Sequence, residues 1–160
     1  MIKIQAGKIW QQGAKNFTSF FVSFQIISCS DEKEEFTATP KASPASWTKQ
    51  LGSSSNDDAF GVATDSSGNV YVTGATTGGL DGNTSAYGND LFVVKYNSSG
   101  TKQWTKQLGT SSDDVANGVA TDSSGNVYVT GWTNGGLDGN TSAGEYDLFV
   151  VKYNSDGVKQ

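Results

Sequence analysis

From residue 47 onward the chain is written in short apolar runs broken by clusters of Gly, Ser, Asn and Asp. In WTKQL (residues 47–51) apolar and polar positions alternate, and Trp47, Lys49 and Leu51 share one face, the two-residue period of a strand. FGVAT (60–64) and NVYVTG (69–74) have the β-branched and aromatic content of two further strands. DLFVVKYN (90–97) is apolar on both faces, with Leu91 and Val93 opposite Phe92, Val94 and Tyr96. A strand apolar on both sides must be covered on both sides, which predicts sheets packed face to face.

The breaks between these runs are built for tight corners. In DSSGN (65–69 and 122–126) the Asp accepts backbone N–H groups two residues on, and Gly68 supplies a positive φ. NSSG (97–100) and NSDG (154–157) repeat the device after the fourth run. The whole pattern occurs twice: residues 47–103 align without a gap on 104–160 at an offset of 57, with 46 pairs identical and 11 different. The decapeptide DSSGNVYVTG, present letter for letter at 65–74 and 122–131, is therefore a repeated corner of the scaffold.

Four antiparallel strands in each 57-residue copy, with glycine-marked turns, predict an all-β protein of two four-stranded β-propeller blades. GVATDSSGNVYVTG followed by DLFVVKYNSSGTKQW resembles the bacterial SBBP-type β-propeller repeat, found in tandem in exported proteins. The resemblance implies the propeller fold and no common activity. Known propellers close with about four to eight blades. Two blades therefore read as an incomplete propeller, a segment of a longer array, or as one subunit of a ring completed by three or four copies.

The first 46 residues follow a different pattern. Residues 1–16 carry Lys3, Lys8 and Lys15 and no acid, and the apolar run FTSFFVSFQIIS (17–28) ends at Cys29. That order describes an export signal over residues 1–28. Ile26-Ile27-Ser28-Cys29 resembles a bacterial lipobox, which implies cleavage before Cys29 and its acylation. Residues 29–46 then form the lipidated Cys and a disordered tether, acidic at first (SDEKEE) and afterwards holding both prolines. The acidic run looks like tether signals that carry some lipoproteins to the outer face of the outer membrane, and a plain solvated spacer accounts for it equally well. Repeats one and two occupy 47–103 and 104–160.

Charge and composition narrow the function. The net charge is −5, all eleven basic residues are lysines, and there is no histidine or arginine. Attraction to nucleic acid is therefore not expected. A Ser-His-Asp or Cys-His pair, an imidazole metal site and a guanidinium clamp for carboxylate or phosphate are all excluded. Asp57-Asp58 and Asp113-Asp114 are neighbours in sequence, and neighbours in an extended segment point to opposite sides, so no acid/base couple is required of them.

The longest loops, TTGGLDGNTSAYGND and TNGGLDGNTSAGEYD, offer Asp81, Asn83 and Asp90 with their partners Asp138, Asn140 and Asp147. Calcium takes such hard oxygen ligands, although turn-forming Asp, Asn and Gly account for the loops equally well, and no other cofactor is expected. Differences between the copies gather at 53–60, 75–77 and 87–89, where Phe60, Ala75 and Tyr87 align with Asn117, Trp132 and Gly144. Phe60, Tyr87, Trp132 and Tyr146 are thus candidate contacts for a protein pocket or a sugar ring.

The expected function is a non-enzymatic binding or adhesion scaffold, exported, lipid-anchored and placed at the outer membrane of a bacterial envelope. Its expected partners are protein or glycan at the cell surface and further blades or a second copy. It meets the membrane only through the lipid. The alternatives are a purely structural segment of a longer array and a carboxylate-based hydrolase.

Overall fold

The structure, a computed structural model, describes residues 46–160. The expected export signal, Cys29 and the expected tether up to residue 45 lie outside the described residues. Seven strands follow in chain order: β1 (Asp57–Thr64), β2 (Val70–Thr76), β3 (Asp90–Tyr96), β4 (Lys102–Leu108), β5 (Asp114–Thr121), β6 (Val127–Thr133) and β7 (Asp147–Tyr153). Short 3-10 turns at Leu80–Gly82 and Leu137–Gly139 interrupt the long loops. The strands form two antiparallel sheets of the propeller-blade type, β1-β2-β3-β4 with the expected four strands and β5-β6-β7 with three.

The assignment of WTKQL differs from the sequence expectation in one respect. Residues 47–51 belong to no strand or sheet. The identical residues 104–108 lie in β4 and complete the first sheet by pairing with β3, Leu91 opposite Leu108 and Lys95 opposite Trp104. The first sheet is thus finished by the strand that opens the second copy. The cause is local: the NSSG corner joins β3 to β4 as a tight hairpin, so a WTKQL segment pairs with the strand before it. The Asn97 side chain accepts the N–H groups of Ser99 (3.1 Å) and Thr101 (2.8 Å), and Gly100 takes φ 76. Residues 47–51 follow no such hairpin among the described residues. In the second sheet the fourth position holds an isolated bridge between Tyr153 and Lys159.

The DSSGN corners behave as read from the sequence. Gly68 and Gly125 both take φ 77. The Asp122 carboxylate accepts the Asn126 side-chain amide (2.8 Å), the Asn126 and Ser124 N–H groups (each 2.9 Å) and the Tyr128 hydroxyl (3.1 Å). These donors, led by the Asn126 amide, hold the Asp122 pKa below the ordinary carboxylate value. A carboxyl group with a lower pKa folded than unfolded adds stability that is complete above the unfolded value, about 3.9. It loses that stability as pH falls through the folded value. Asp122→Asn should therefore lower Tm near neutrality and flatten its decline in acid; thermal melts from pH 6 to about pH 2 would refute this if the two acid limbs ran parallel.

The main core lies between the sheets. Tyr71, Leu91 and Val93 of the first cluster with Ala116, Val127, Val129, Phe149, Val151 and Tyr153 of the second. Trp104 and Leu108 of β4 pack against the same cluster. The Trp104 indole N–H donates to the Ser155 carbonyl (3.1 Å), and Lys95 Nζ donates to the same oxygen (2.9 Å). Asp113 accepts both the backbone and side-chain N–H groups of Asn89 (each 2.9 Å). A fourth strand therefore closes its own sheet and also latches the next one.

Candidate interaction surface

The two copies of DLFVVKY provide a controlled comparison, because their residues are identical and their surroundings are not. In β3 Leu91 and Val93 are each 0% exposed, sealed by the second sheet; in β7 their counterparts Leu148 and Val150 are 83% and 64% exposed. On the other face Phe149, Val151 and Tyr153 are buried in the shared core. The register puts Trp132 opposite Leu148 and Thr130 opposite Val150. Trp132 meets Tyr146 edge to face, their ring centres 5.0 Å apart and their planes at 87°. Lys152 Nζ lies 5.4 Å from the Tyr128 ring centre at the far end. The result is an apolar outer face, Leu148, Val150, Trp132 and Tyr146, with a cationic edge.

The first sheet carries the complementary end. Phe92, Val94, Tyr96 and Leu80 are buried there, with Trp47, Leu51, Val70 and Val72 packed against them. The cover is incomplete: a cleft of about 270 Å³ opens among Trp47, Leu51, Val72, Leu80 and Phe92, and Val62 is exposed. Residues 47–51 are nevertheless held in place. The Trp47 indole N–H donates to the Ser98 carbonyl (3.3 Å) and its ring lies 5.9 Å from Tyr96. Trp104 makes the same contacts one blade later, with Ser155 and, at 6.4 Å, Tyr153.

Of the four aromatic candidates, the structure joins Trp132 and Tyr146 only. Phe60 is the extra residue of a bulge between Ala59 and Gly61, which turns its ring out to solvent. Tyr87 is exposed and takes φ 85 beside Gly88 at φ 65, in a loop away from any ring pairing among the described residues. A non-glycine residue held at positive φ is uncommon.

The loop oxygens are engaged within the fold, except Asp90 Oδ1, which is buried without a hydrogen-bond partner. Asp81 and Asp138, at φ 56 and 57, ion-pair with Lys102 and Lys159. The Lys102 ammonium, first among the causes, holds the Asp81 pKa below the ordinary range. Asn83 and Asn140 donate their side-chain amides to the carbonyls of Leu80 (2.7 Å) and Leu137 (2.8 Å). Asp90 accepts from Ala86 N–H (2.8 Å) and Gln107 (2.7 Å), and Asp147 accepts from Ala143 N–H (2.7 Å). Among the described residues no three acidic or sulfur side chains stand together as a metal cluster. Asp57 accepts from Ser53 and Thr76, and Asp114 is buried beneath Thr110 and Thr133.

Sequence reasoning does not single out Leu148 or Val150, since nothing local distinguishes them from Leu91 and Val93. The available signal is the two-faced apolar strand itself, which needs a neighbour on each side.

Fold and repeats together define an all-β repeat protein of the β-propeller type. The family model described as SBBP, beta-propeller repeat, matches residues 46–81 and 103–138, one stretch in each copy. The chain is also 30% identical over 125 residues to the regulatory protein FlaEY of Caulobacter vibrioides, covering 71% of this chain and 13% of that protein. It is 32% identical over 106 residues to an uncharacterized WD repeat-containing protein of Acanthamoeba polyphaga mimivirus, covering 56% of this chain and 8% of the other. The chain thus spans a small part of each of these relatives' length.

Proposed function

We propose that this chain is a non-enzymatic protein-docking scaffold, held at the cell envelope by a lipid on Cys29, that offers the outer face of its second sheet to a protein partner. The carrying observation is the contrast between Leu148, 83% exposed, and its sequence twin Leu91, 0% exposed. Exposed leucine and valine side chains beside an aromatic pair suit a desolvated protein contact. Sugar hydroxyls would require convergent hydrogen-bonding groups among those leucine and valine side chains, so protein is favoured over glycan. The carboxylates of Asp57, Asp81 and Asp138 and one oxygen of Asp90 are committed to local hydrogen bonds and ion pairs, which supports a binding role over hydrolysis. The lipid anchor draws its support from the lysine-bearing leader, the apolar run and the lipobox-like residues 26–29.

Two measurements test the two parts. A photoreactive phenylalanine analogue at position 148 of the full chain in cells should give protein adducts, and the same analogue at exposed Thr64 should give none; absence of adducts at 148 rejects the docking face. Palmitate should label the wild-type chain and fail to label Cys29→Ala; labelling that survives the substitution rejects the anchor.

A further inference from the structure

The two ends of the blade stack are unequal, and each holds what the other needs. At one end β7 pairs with β6 along one edge, while its other edge is engaged at Tyr153, by Lys159, and at the Lys152 carbonyl, which accepts the Gln160 N–H (2.9 Å). At the other end residues 47–51 are anchored through Trp47 and paired with no strand.

The internal junction shows how such ends fit. There DLFVVKY (β3) takes WTKQL (β4) as its outer neighbour, and Trp104 and Leu108 carry the following sheet with them. β7 has the sequence of β3, and residues 47–51 have the sequence of residues 104–108. Trp47 and Leu51 already sit on Phe92, Val94 and Tyr96 as Trp104 and Leu108 sit on the cluster of Phe149, Val151 and Tyr153. The segment is therefore preorganised, and little ordering cost remains to be met on binding.

We infer that β7 accepts residues 47–51 of a second copy of this chain as its fourth strand, which lays the first sheet of that copy over Leu148 and Val150. The inference rests on the reading of that face as a protein-docking surface and names its partner. The internal register gives the pairing: Lys152 opposite Trp47, Val151 opposite Thr48, Val150 opposite Lys49, Phe149 opposite Gln50 and Leu148 opposite Leu51. Trp47 of the second copy follows Gln160 as Trp104 follows Gln103. Leu148 and Val150 enter the cleft beside Phe92, as Leu91 and Val93 enter the internal core. The seam between copies departs from the internal one at Trp132, which stands where Ala75 is buried. At the internal seam β2 packs on β5, so Trp132 of β6 is carried to β1 of the second copy, where Phe60 stands exposed in its bulge. Strand addition supplies main-chain hydrogen bonds, and the apolar faces set specificity. The contact is heterologous, so each added copy presents a fresh end, and successive additions give a ring or an open chain.

The test uses the full chain with paired cysteines. Lys49→Cys in one copy and Val150→Cys in another are directly opposite in the inferred register, within disulfide reach. On mild oxidation the mixture should shift from one-chain to two-chain mass on a non-reducing gel. Gln50→Cys mixed with Val150→Cys points to opposite sheet faces and should stay at one-chain mass, as should either variant alone, which also controls for Cys29. Equal or absent dimer from the two mixtures overturns the strand pairing. The photoadduct at position 148 separates this result from the broader reading. Adducts of two copies of this chain agree with the pairing. Adducts with a different protein and no 49–150 disulfide overturn the pairing and leave the docking face standing, whereas no adduct of any kind overturns both.

Discussion

Leu91→Ala is expected to lower the unfolding free energy by about 2–5 kcal/mol, while Leu148→Ala changes it by no more than about 0.5 kcal/mol. The two leucines sit in identical heptapeptides and leave the same atoms behind when truncated. What differs is the surroundings: Leu91 is enclosed by the second sheet, and its removal leaves a cavity among Tyr71, Val93 and the residues of β6 and β7. Leu148 faces solvent and has little burial to lose. Urea denaturation of the full chain, followed at a concentration low enough to keep copies apart, reads both values from the midpoints at constant slope. Equal losses for the pair would mean that Leu148 is covered in solution by part of its own chain.

The second large effect is expected at Gly131. A Cβ there would lie 1.9 Å from the Val115 carbonyl oxygen and 2.9 Å from the Ala116 Cα, both backbone atoms of β5. Between Ala116 and Gly118 the register shifts by one residue, and the bulged strand is pressed against β6 at this position. No side-chain rotation relieves a clash with backbone. Gly131→Ala must spread the bulge or break the pairing, a loss at or above the upper end of about 1–3 kcal/mol for overpacking. Gly139 supplies the control, because it takes φ 81 and an added methyl would meet nothing within 4 Å. Gly139→Ala therefore carries only the left-handed strain, about 1 kcal/mol. Midpoints falling in the reverse order would contradict the close approach at the bulge.

Much of the fold was legible because strand period and turn chemistry are local properties. Alternation in WTKQL, the branched residues of NVYVTG and the Asp-to-N–H geometry of DSSGN each constrain only a few neighbouring residues, and each predicted strand of the second copy has its place in a sheet. Sheet membership was not legible in the same way. Residues 47–51 and 104–108 are identical, so no local property separates an unpaired segment from β4; the hairpin preceding the second does. The same limit governs the surface. Trp132 and Tyr146 stood out because the copies differ there, whereas Leu148 and Val150 match their buried twins and acquire their exposure from position in the stack. Phe60 and Tyr87 also marked differences between copies, yet the bulge and the loop hold them apart from the aromatic pair.

The one-strand offset between sequence copy and finished sheet bears on how such genes change length. A recombination event that inserts or deletes one 57-residue copy, wherever it cuts, lengthens or shortens the stack by one whole blade and leaves every internal sheet with its outer strand. Copy number can therefore change by one whole blade at a time, with every internal joint built alike.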